Sequence, residues 1–204
     1  MDLRSVERFY YNQQLSHIAG VDEVGRGCLA GPVYAAAVIL PKKYLLPGLN
    51  DSKKLTPLQR ERLYDKIVDQ AVAYEVAWID VEEIDRLNIF HASMKAMALA
   101  MENLSPVPEM VLVDGKFRVP HILPQHPLVK GDGRSATIAA ASILAKVSRD
   151  RRACDWERDY PAFNFSKHKG YGTAQHLREL QENGPTPLHR RSFAPVQALL
   201  KNAV

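Results

Sequence analysis

Residues 18–33 read IAGVDEVGRGCLAGPV, and the interpretation of the whole chain starts from them. An apolar run leads into two adjacent carboxylates, Asp22 and Glu23, and a glycine-rich turn follows at once. Two acids at the end of a buried strand are costly unless positive charge lies beside them, and glycines let a backbone approach a ligand closely. The stretch therefore predicts a site for a metal ion and a phosphate group, which the rest of the chain completes.

Composition sets the general class of the protein. The chain has 204 residues and a formal net charge of +4, which suits one domain with a sizeable core and is compatible with a polyanionic partner. No apolar run approaches the ~20 residues of a membrane helix, and the polar N-terminus does not resemble a signal peptide. Cys28 and Cys154 have neither metal-ligand nor redox spacing. We therefore expect a cytoplasmic protein without membrane association, with reduced thiols, and monomeric because no apolar surface stripe is evident.

The order of predicted elements indicates an α/β protein with a mixed five-stranded sheet flanked by helices. Strands are predicted at residues 17–23, 33–40, 74–79, 110–113 and 128–129, and helices at residues 56–71, 88–104, 135–156 and 173–182, with a last short helix near the C-terminus. Residues 1–16 are expected to form a helix or arm with little to pack against. We expect residues 1–160 to form the main domain and residues 161–204 a small C-terminal helical appendage packed on it, as one functional unit.

Carboxylates follow three of the predicted strands. Asp22 and Glu23 end the first strand, Asp114 the fourth and Asp132 the fifth, so the acids are expected to converge at one edge of the sheet. Four carboxylates cannot all ionise in a partly buried place without cations, because like charges raise one another's pKa. Oxygen ligands favour Mg²⁺ or Mn²⁺, and no His or Cys lies at zinc spacing beside them.

The adjacent acids of the first strand raise a geometric difficulty. Successive strand residues point to opposite faces, so Asp22 and Glu23 cannot share an ion from a regular strand. Either the strand breaks at Glu23, next to Gly25, or the backbone carbonyl of Glu23 takes part. We expect the break.

The glycine turn has two possible interpretations. The pattern Gly25-x-Gly27-x-x-x-Gly31 is loosely similar to a dinucleotide fingerprint, but that fingerprint requires a helix after the glycines. Here Pro32 and an apolar strand follow, so the dinucleotide interpretation fails. A turn with exposed amides and Arg26 instead suits a phosphate or a sugar hydroxyl.

Ten short motifs, in order and at compatible spacing across roughly residues 17–196, resemble the signature of bacterial ribonuclease HII. They are DEVGRG at 22–27, LAGPV at 29–33, NDSKKL at 50–55, VDG at 113–115, KGD at 130–132, AAASI at 139–143, AKV at 145–147, RD at 149–150, KGYGT at 169–173 and HRRSF at 189–193. Arg26 favours type HII over the related type HIII, which carries lysine there. Gly133 is a small departure, since alanine is more usual after Asp132.

The resemblance implies an RNase H-like fold, with residues 1–160 as its catalytic domain. It implies an endonuclease that hydrolyses the RNA strand of RNA–DNA hybrids and cuts 5′ of ribonucleotides embedded in DNA. A two-metal-ion mechanism with Mn²⁺ or Mg²⁺ as cofactor would leave 5′-phosphate and 3′-hydroxyl ends. Two alternatives remain: a non-catalytic nucleic-acid-binding module of the same fold, and a different metal-dependent phosphoryl-transfer enzyme such as a junction resolvase.

The resemblance also assigns site residues. The catalytic, metal-binding carboxylates would be Asp22, Glu23, Asp114 and Asp132. Gly25, Arg26 and Gly27 would recognise the 2′-hydroxyl of the ribonucleotide, while Tyr171 would bond that hydroxyl and stack on the next, deoxy, sugar. Weaker candidates for contacts with the nucleic-acid backbone are Asn50, Ser52, Lys53, Lys146 and Arg149. His168 and His189 are expected to be ordinary surface or loop histidines.

Overall fold

A computed structural model describes residues 3–202, and its centre is one five-stranded sheet in the order β3-β2-β1-β4-β5. The strands are β1 (Ile18–Val24), β2 (Val33–Ile39), β3 (Ala73–Ile79), β4 (Met110–Asp114) and β5 (Gln125–Leu128). The first three strands form an antiparallel meander, whereas β4 pairs parallel with β1 and β5 parallel with β4. The predicted mixed sheet is confirmed.

Two strands differ from their predictions. The antiparallel ladder with β2 continues through the pairs Glu23↔Ala35 and Val24↔Tyr34, so β1 runs on to Val24 and the expected break at Glu23 is wrong. The fifth strand lies at Gln125–Leu128 rather than at residues 128–129. Its sequence, QHPL, has little β-propensity, and its proline is tolerated because β5 is an edge strand.

The helices lie between and after the strands. They are α1 (Ser5–Tyr11), α2 (Pro57–Gln70), α3 (Val81–Leu87), α4 (Ile89–Glu102), α5 (Ala136–Asp159), α6 (Phe165–His168), α7 (Ala174–Asn183) and α8 (Ala194–Asn202), with 3₁₀ turns at Ser52–Lys54 and Gly131–Gly133. Thr56 and Gln59 form the capping box that begins α2. Helix α3 is not among the predicted helices; Val81 and Ile84, three residues apart, are the buried residues of its inner face. No helix in the described part of the chain has the length and apolar character that a membrane crossing requires.

Different helices cover the two faces of the sheet. Alternate residues of the strands pack with the methionines and alanines of α4 on one face. The other face packs against α5 and α2. Side chains of even-numbered residues on β1 therefore face α5, and those of odd-numbered residues face α4.

Helix α5 lies unusually close to β1. A Cβ atom added at Gly20 would lie 2.2 Å from the backbone nitrogen of Ile138 and 2.2 Å from the carbonyl carbon of Thr137. The run of small residues at the start of α5 is buried against the sheet. This close approach sets the position of every residue that α5 contributes to the strand ends.

The N-terminal helix is more firmly packed than we expected. The buried Glu7 carboxylate accepts hydrogen bonds from the hydroxyls of Ser135 and Thr137 and from the Thr137 amide, at 2.7 to 3.0 Å. A carboxylate suits the N-terminus of α5, where unpaired amides carry partial positive charge. Tyr10 is also buried. The expectation of an arm with little to pack against is therefore wrong.

The C-terminal segment shares a hydrophobic cluster with the main domain. Leu29 and Ala30 of the glycine-rich stretch and Trp156 of α5 pack with Phe163 and Phe165. Leu180 of α7 and Val196 of α8 complete the cluster. This packing supports one functional unit, while a division at residue 160 stays a prediction.

We predict that Gly20→Ala lowers the free energy of unfolding by about 3 kcal/mol or more. A methyl group there meets backbone atoms that cannot rotate away, so the cost lies at the upper end for overpacked cores. Gly133→Ala is the control, because a Cβ there meets nothing within 4 Å and is expected to change stability by less than about 0.5 kcal/mol. Chemical denaturation of both variants tests this; equal stabilities would contradict the close packing of α5.

Candidate active site

The sheet register brings the acidic residues to one edge. The parallel pair Val21↔Val113 places Asp22 and Asp114 one step further along neighbouring strands. Asp114 in turn pairs with Leu128, and the chain reaches Asp132 within one 3₁₀ turn after β5. The carboxyl ends of parallel strands thus gather these residues, as the sequence predicted.

Asp22 is buried, at 5% exposure, like Asp132, and it faces α5. Burial raises its pKa well above the usual value, and the negative charges of Glu23 and Asp114 raise it further. Hydrogen bonds from the Ser142 side chain and from the Glu23 amide act in the opposite direction. Asp22 therefore occupies a place where negative charge is unfavourable without a nearby cation.

Glu23 and Asp114 line a common cavity of about 250 Å³ on the α4 side of the strand ends. Burial raises the pKa of both carboxyls. Arg26 lies 3.4 Å from Glu23 and opposes the shift there. The Gly131 amide, 2.6 Å from Oδ1 of Asp114, opposes it at the second carboxylate.

Asp132 already has a cationic neighbour. Its Oδ2 lies 3.2 Å from Nζ of Lys53, whose side chain is 79% exposed, whereas the Asp132 side chain is almost buried. The carboxylate also contributes to the raised pKa of Asp114. The side chain of Lys53, which was predicted to contact the nucleic-acid backbone, thus lies beside the group of acids.

The four carboxylates do not form a preformed metal site. Among residues 3–202, no group of three or more His, Cys, Asp or Glu side chains could hold a metal ion as it stands. The physical reason lies in their bonds, because each carboxylate turns to its own donor: the Glu23 amide, Arg26, the Gly131 amide or Lys53. Asp22 and Glu23 also point to opposite faces, since β1 stays regular through Glu23. The acids are neighbours, but they are not oriented as a ligand set.

The glycine-rich turn pairs with a loop far along the chain. Cys28 and Tyr171 form an isolated antiparallel bridge, and the Leu29 amide donates to the Gly170 carbonyl at 2.7 Å. Gly170 has φ +79°, and a Cβ there would lie 2.6 Å from the Ala30 carbonyl oxygen. The two predicted recognition elements are therefore joined through their backbones.

Two fully buried arginines brace this pairing. Arg190 donates to the carbonyls of Arg26 and Gly31 at 2.8 to 3.0 Å, and burial lowers its pKa to about 10. Arg149 donates to the carbonyls of Ala30, Pro32 and Lys169 at 2.7 to 3.2 Å.

Arg149 therefore holds the turn and the loop together. A direct contact of its guanidinium with a nucleic-acid phosphate does not fit, because the side chain is buried and bonded internally. The same holds for Ser52, which is buried and bonds Ser142 at 2.9 Å.

Tyr171 lies at the edge of the same arrangement and is half-buried. Burial raises its pKa to about 12. Its hydroxyl, protonated at neutral pH as in any tyrosine, can both donate and accept a hydrogen bond. Nζ of Lys146 lies 5.3 Å from its ring and 2.8 Å from Asp150. A second cavity, of about 650 Å³, extends from Tyr171 past Lys146, Lys167 and Lys169.

The remaining predicted residues differ in their exposure to solvent. Arg26, Gly27 and Asn50 are exposed, whereas Gly25, with φ +95°, is buried where a Cβ would lie 2.5 Å from Nε of Arg149. His168 and His189, expected as ordinary surface or loop histidines, are buried, at 5% and 1% exposure; His189 does lie in a loop.

Sequence reasoning missed three side chains that support the site. Ser142 was part of a quoted motif but received no role, although it is the one hydroxyl side chain in the run AAASILA at residues 139–145. Arg190 also lay in a quoted motif, HRRSF, and only the fold reveals that it points inward. His176 carried no signal in the sequence.

Comparison with known proteins identifies the family. Residues 19–196 match the model of the family described as ribonuclease HII. The chain is 52% identical over 200 residues to ribonuclease HII of Geobacillus kaustophilus, which covers 98% of this chain and 76% of that protein. It superposes on ribonuclease H2 of Pyrococcus horikoshii with a TM-score of 0.77 and 25% identity, covering 91% and 98% of the two chains.

A more distant structure has the same fold. Bst-RNase HIII in complex with Mn²⁺ superposes with a TM-score of 0.70 and 20% identity, over 94% of this chain and 72% of the other. The match to the family model covers most of the chain, and the acids and both recognition elements lie within it. The chain belongs to the ribonuclease HII family, metal-dependent endonucleases that act on RNA–DNA hybrids.

Proposed function

We propose that Asp22, Glu23, Asp114 and Asp132 hold the divalent ions of this endonuclease, and that the paired loops around Gly25–Gly27 and Tyr171 recognise ribose beside them. The observation that carries the proposal is the backbone pairing of Cys28 with Tyr171, a few residues from the carboxylates of β1. A cut 5′ of a ribonucleotide requires metal ligands and a ribose-reading pocket to lie side by side.

The chemistry of the acids fits a hard divalent cation. All four donors are carboxylate oxygens, which suit Mg²⁺ and Mn²⁺. Burial and mutual repulsion raise the pKa of Asp22, Glu23 and Asp114, a cost that positive charge among them would remove. Mn²⁺ in the Bst-RNase HIII structure supports the same class of ion. Metal ions would compete for these oxygens with the local donors that the carboxylates contact.

Two such ions, when bound, would lower the pKa of the attacking water and stabilise the leaving 3′-oxygen, giving 5′-phosphate and 3′-hydroxyl ends. The chain's own contribution is to orient the substrate. Lys53 lies beside Asp132 and can move its ammonium towards a phosphate. Asn50 is exposed and Lys146 is half-buried, and both are placed for further contacts with the nucleic-acid backbone.

Ribose recognition rests on groups with both hydrogen-bonding polarities. The 2′-hydroxyl is donor and acceptor, and it is what distinguishes RNA from DNA at a site. The protonated Tyr171 hydroxyl can bond it, while its ring is available for the next, deoxy, sugar. The exposed backbone of Arg26 and Gly27 would contact the same nucleotide from the other side.

The two alternatives explain less. A pure binding module would gain nothing from four acids facing phosphates, since they weaken attraction for a polyanion. A junction resolvase on the same sheet would not need the glycine turn to be paired with Tyr171. We also propose a monomer, and a cytoplasmic location that the two unpaired cysteines and the nucleic-acid substrate support.

We predict that Asp22→Asn stabilises the protein when metal is absent. Asparagine keeps the acceptor for the Glu23 amide but removes a buried charge, so the free energy of unfolding at pH 7 in EDTA rises by about 1 to 3 kcal/mol. Asp69→Asn is the control, because Asp69 is exposed and its substitution removes the same single negative charge. We expect it to change the free energy of unfolding by less than about 0.5 kcal/mol. Adding Mn²⁺ is expected to stabilise the wild type more than the variant. A destabilised Asp22→Asn protein in EDTA would contradict the proposed electrostatics.

We predict that Asp114→Asn abolishes cleavage while binding of the hybrid survives. The loss of kcat is expected to be at least about 100-fold, which removal of even an outer partner of a metal site can reach. The assay uses an RNA–DNA hybrid and a DNA duplex with one ribonucleotide, each with Mg²⁺, Mn²⁺ or EDTA, and Asp69→Asn as control. Wild-type cleavage of an all-DNA duplex at the same rate would exclude the proposed function, and full turnover by Asp114→Asn would exclude that residue as a ligand.

We predict that Tyr171→Phe narrows the preference for ribose. The ring stays, but one hydrogen bond of about 1.4 kcal/mol is lost, so kcat/KM on a single-ribonucleotide duplex falls about 10-fold. A duplex with 2′-fluoro in place of the 2′-hydroxyl is expected to be affected less. Tyr74→Phe, an exposed tyrosine on β3, serves as control. An unchanged ratio between the two substrates would remove Tyr171 from recognition.

A further inference from the structure

Three buried histidines form a cluster directly behind the recognition loop. His168, His176 and His189 are 5%, 0% and 1% exposed. The rings of His168 and His176 stack at 4.1 Å between centroids, and Phe163 and Phe165 pack around the group. Nothing in the cleavage chemistry uses these side chains.

Backbone donors fix the direction of the hydrogen bonds. The Thr186 amide donates to Nδ1 of His189 at 3.0 Å, so that nitrogen is an acceptor and the proton of the neutral ring lies on Nε2. This Nε2 is 3.0 Å from Nε2 of His176, which must accept. The proton of His176 then lies on Nδ1, 2.9 Å from the carbonyl oxygen of Tyr171.

The third histidine is fixed in the same way. The Gly170 amide donates to Nδ1 of His168 at 3.2 Å, so its Nε2 carries the proton and donates to Glu179 at 3.0 Å. Two stacked rings thus contact consecutive residues of the loop, one at the Gly170 amide and the other at the Tyr171 carbonyl.

We infer that His189 and His176 are positioning residues for ribose recognition, acting as a one-directional relay of hydrogen bonds from Thr186 to the main chain of Tyr171. The inference rests on the proposed role of Tyr171 at the 2′-hydroxyl. The relay links the segment that carries Arg190 to the loop that carries Tyr171. Both of these segments contact the glycine turn, and the relay fixes their positions relative to each other.

The relay requires neutral rings, and the surroundings keep them neutral. Burial lowers the pKa of His176 and His189 to about 4, and neighbouring imidazoles add to the effect. The charged groups that face the cluster are Glu179 from α7, Glu157 from α5 and Lys169 from the loop. A second proton on either ring would set two N–H groups against each other at the Nε2–Nε2 contact. Because these folded-state pKa values lie below the usual 6.5, the stability that the neutral rings contribute is lost as the pH falls from about 6.5 towards 4.

The first test reads the protons in the wild-type protein. Long-range ¹H–¹⁵N NMR of the imidazoles at pH 7 is expected to show His176 protonated on Nδ1, and His189 and His168 protonated on Nε2. A charged ring at pH 7, or the opposite tautomer of His176, would overturn the relay. This measurement does not depend on activity.

The second test uses two substitutions of nearly equal size. His176→Asn keeps an N–H donor near the Nδ1 position, whereas His176→Leu removes it. We expect Asn to retain kcat/KM on a single-ribonucleotide duplex within about threefold of wild type and Leu to lose about 10-fold, the effect of one hydrogen bond. Equal losses would assign the residue a packing role only and overturn the inference.

A double-mutant cycle separates this inference from the proposal on Tyr171. If His176 acts through Tyr171, His176→Leu costs less than about threefold in a Tyr171→Phe background, because contacting residues that share a function are not additive. Full additivity would overturn the relay's role in recognition. If Tyr171→Phe alone leaves the 2′-hydroxyl preference unchanged, the recognition role of the loop and the relay's purpose both fail, while the NMR tautomers still report whether the relay forms.

Discussion

Helix α5 lies against β1 at a distance that only glycine permits, and the position of the site follows from that contact. At Gly20 a single methyl group would collide with the helix backbone, so the two elements meet main chain to main chain. From there α5 extends about 36 Å at 1.5 Å per residue. It places Ser142 against Asp22, Lys146 beside Tyr171 and Arg149 under the glycine turn. One helix therefore sets the position of a metal-site acid and of the recognition loop relative to each other.

The acids are held where negative charge is costly, and local hydrogen-bond donors offset part of that cost. Each carboxylate is turned to a separate donor, so the four do not face one another. Their backbones stay adjacent because the strand register fixes them. A bound cation would lower the electrostatic cost of the four negative charges more than the local hydrogen-bond donors do. Affinity for metal and instability without it thus have the same origin.

The sequence predicted the features that local patterns encode. Strand ends followed by acids, and the approximate extents of the long helices, depend on short-range periodicity, and these predictions are confirmed. It did not predict that β1 stays regular through Glu23, because that depends on how far the partner strand β2 extends. It also assigned Arg149 to contacts with the nucleic-acid backbone and treated His168 and His189 as surface or loop residues, whereas all three side chains are buried. Whether a polar side chain points inward is decided by packing between segments more than a hundred residues apart, as in the contact of Arg149 with Ala30.

The buried polar groups behind the glycine turn and the Tyr171 loop are explained by the need to discriminate ribose from deoxyribose. A pocket that hydrogen-bonds a substrate hydroxyl can prefer that substrate over the analogue without the hydroxyl by several orders of magnitude in kcat/KM. This preference arises because the polar groups of the pocket stay unpaired when the analogue is bound. A mobile loop could give the polar groups of the pocket new hydrogen-bond partners when the analogue is bound, and the preference for ribose would then be lost. Backbone carbonyls held by Arg149 and Arg190, and a tyrosine whose carbonyl is held by His176, cannot rearrange cheaply. The buried cations and imidazoles add little that an apolar core could not supply to stability, but they fix the direction in which the glycine turn and Tyr171 present their hydrogen bonds to the sugar.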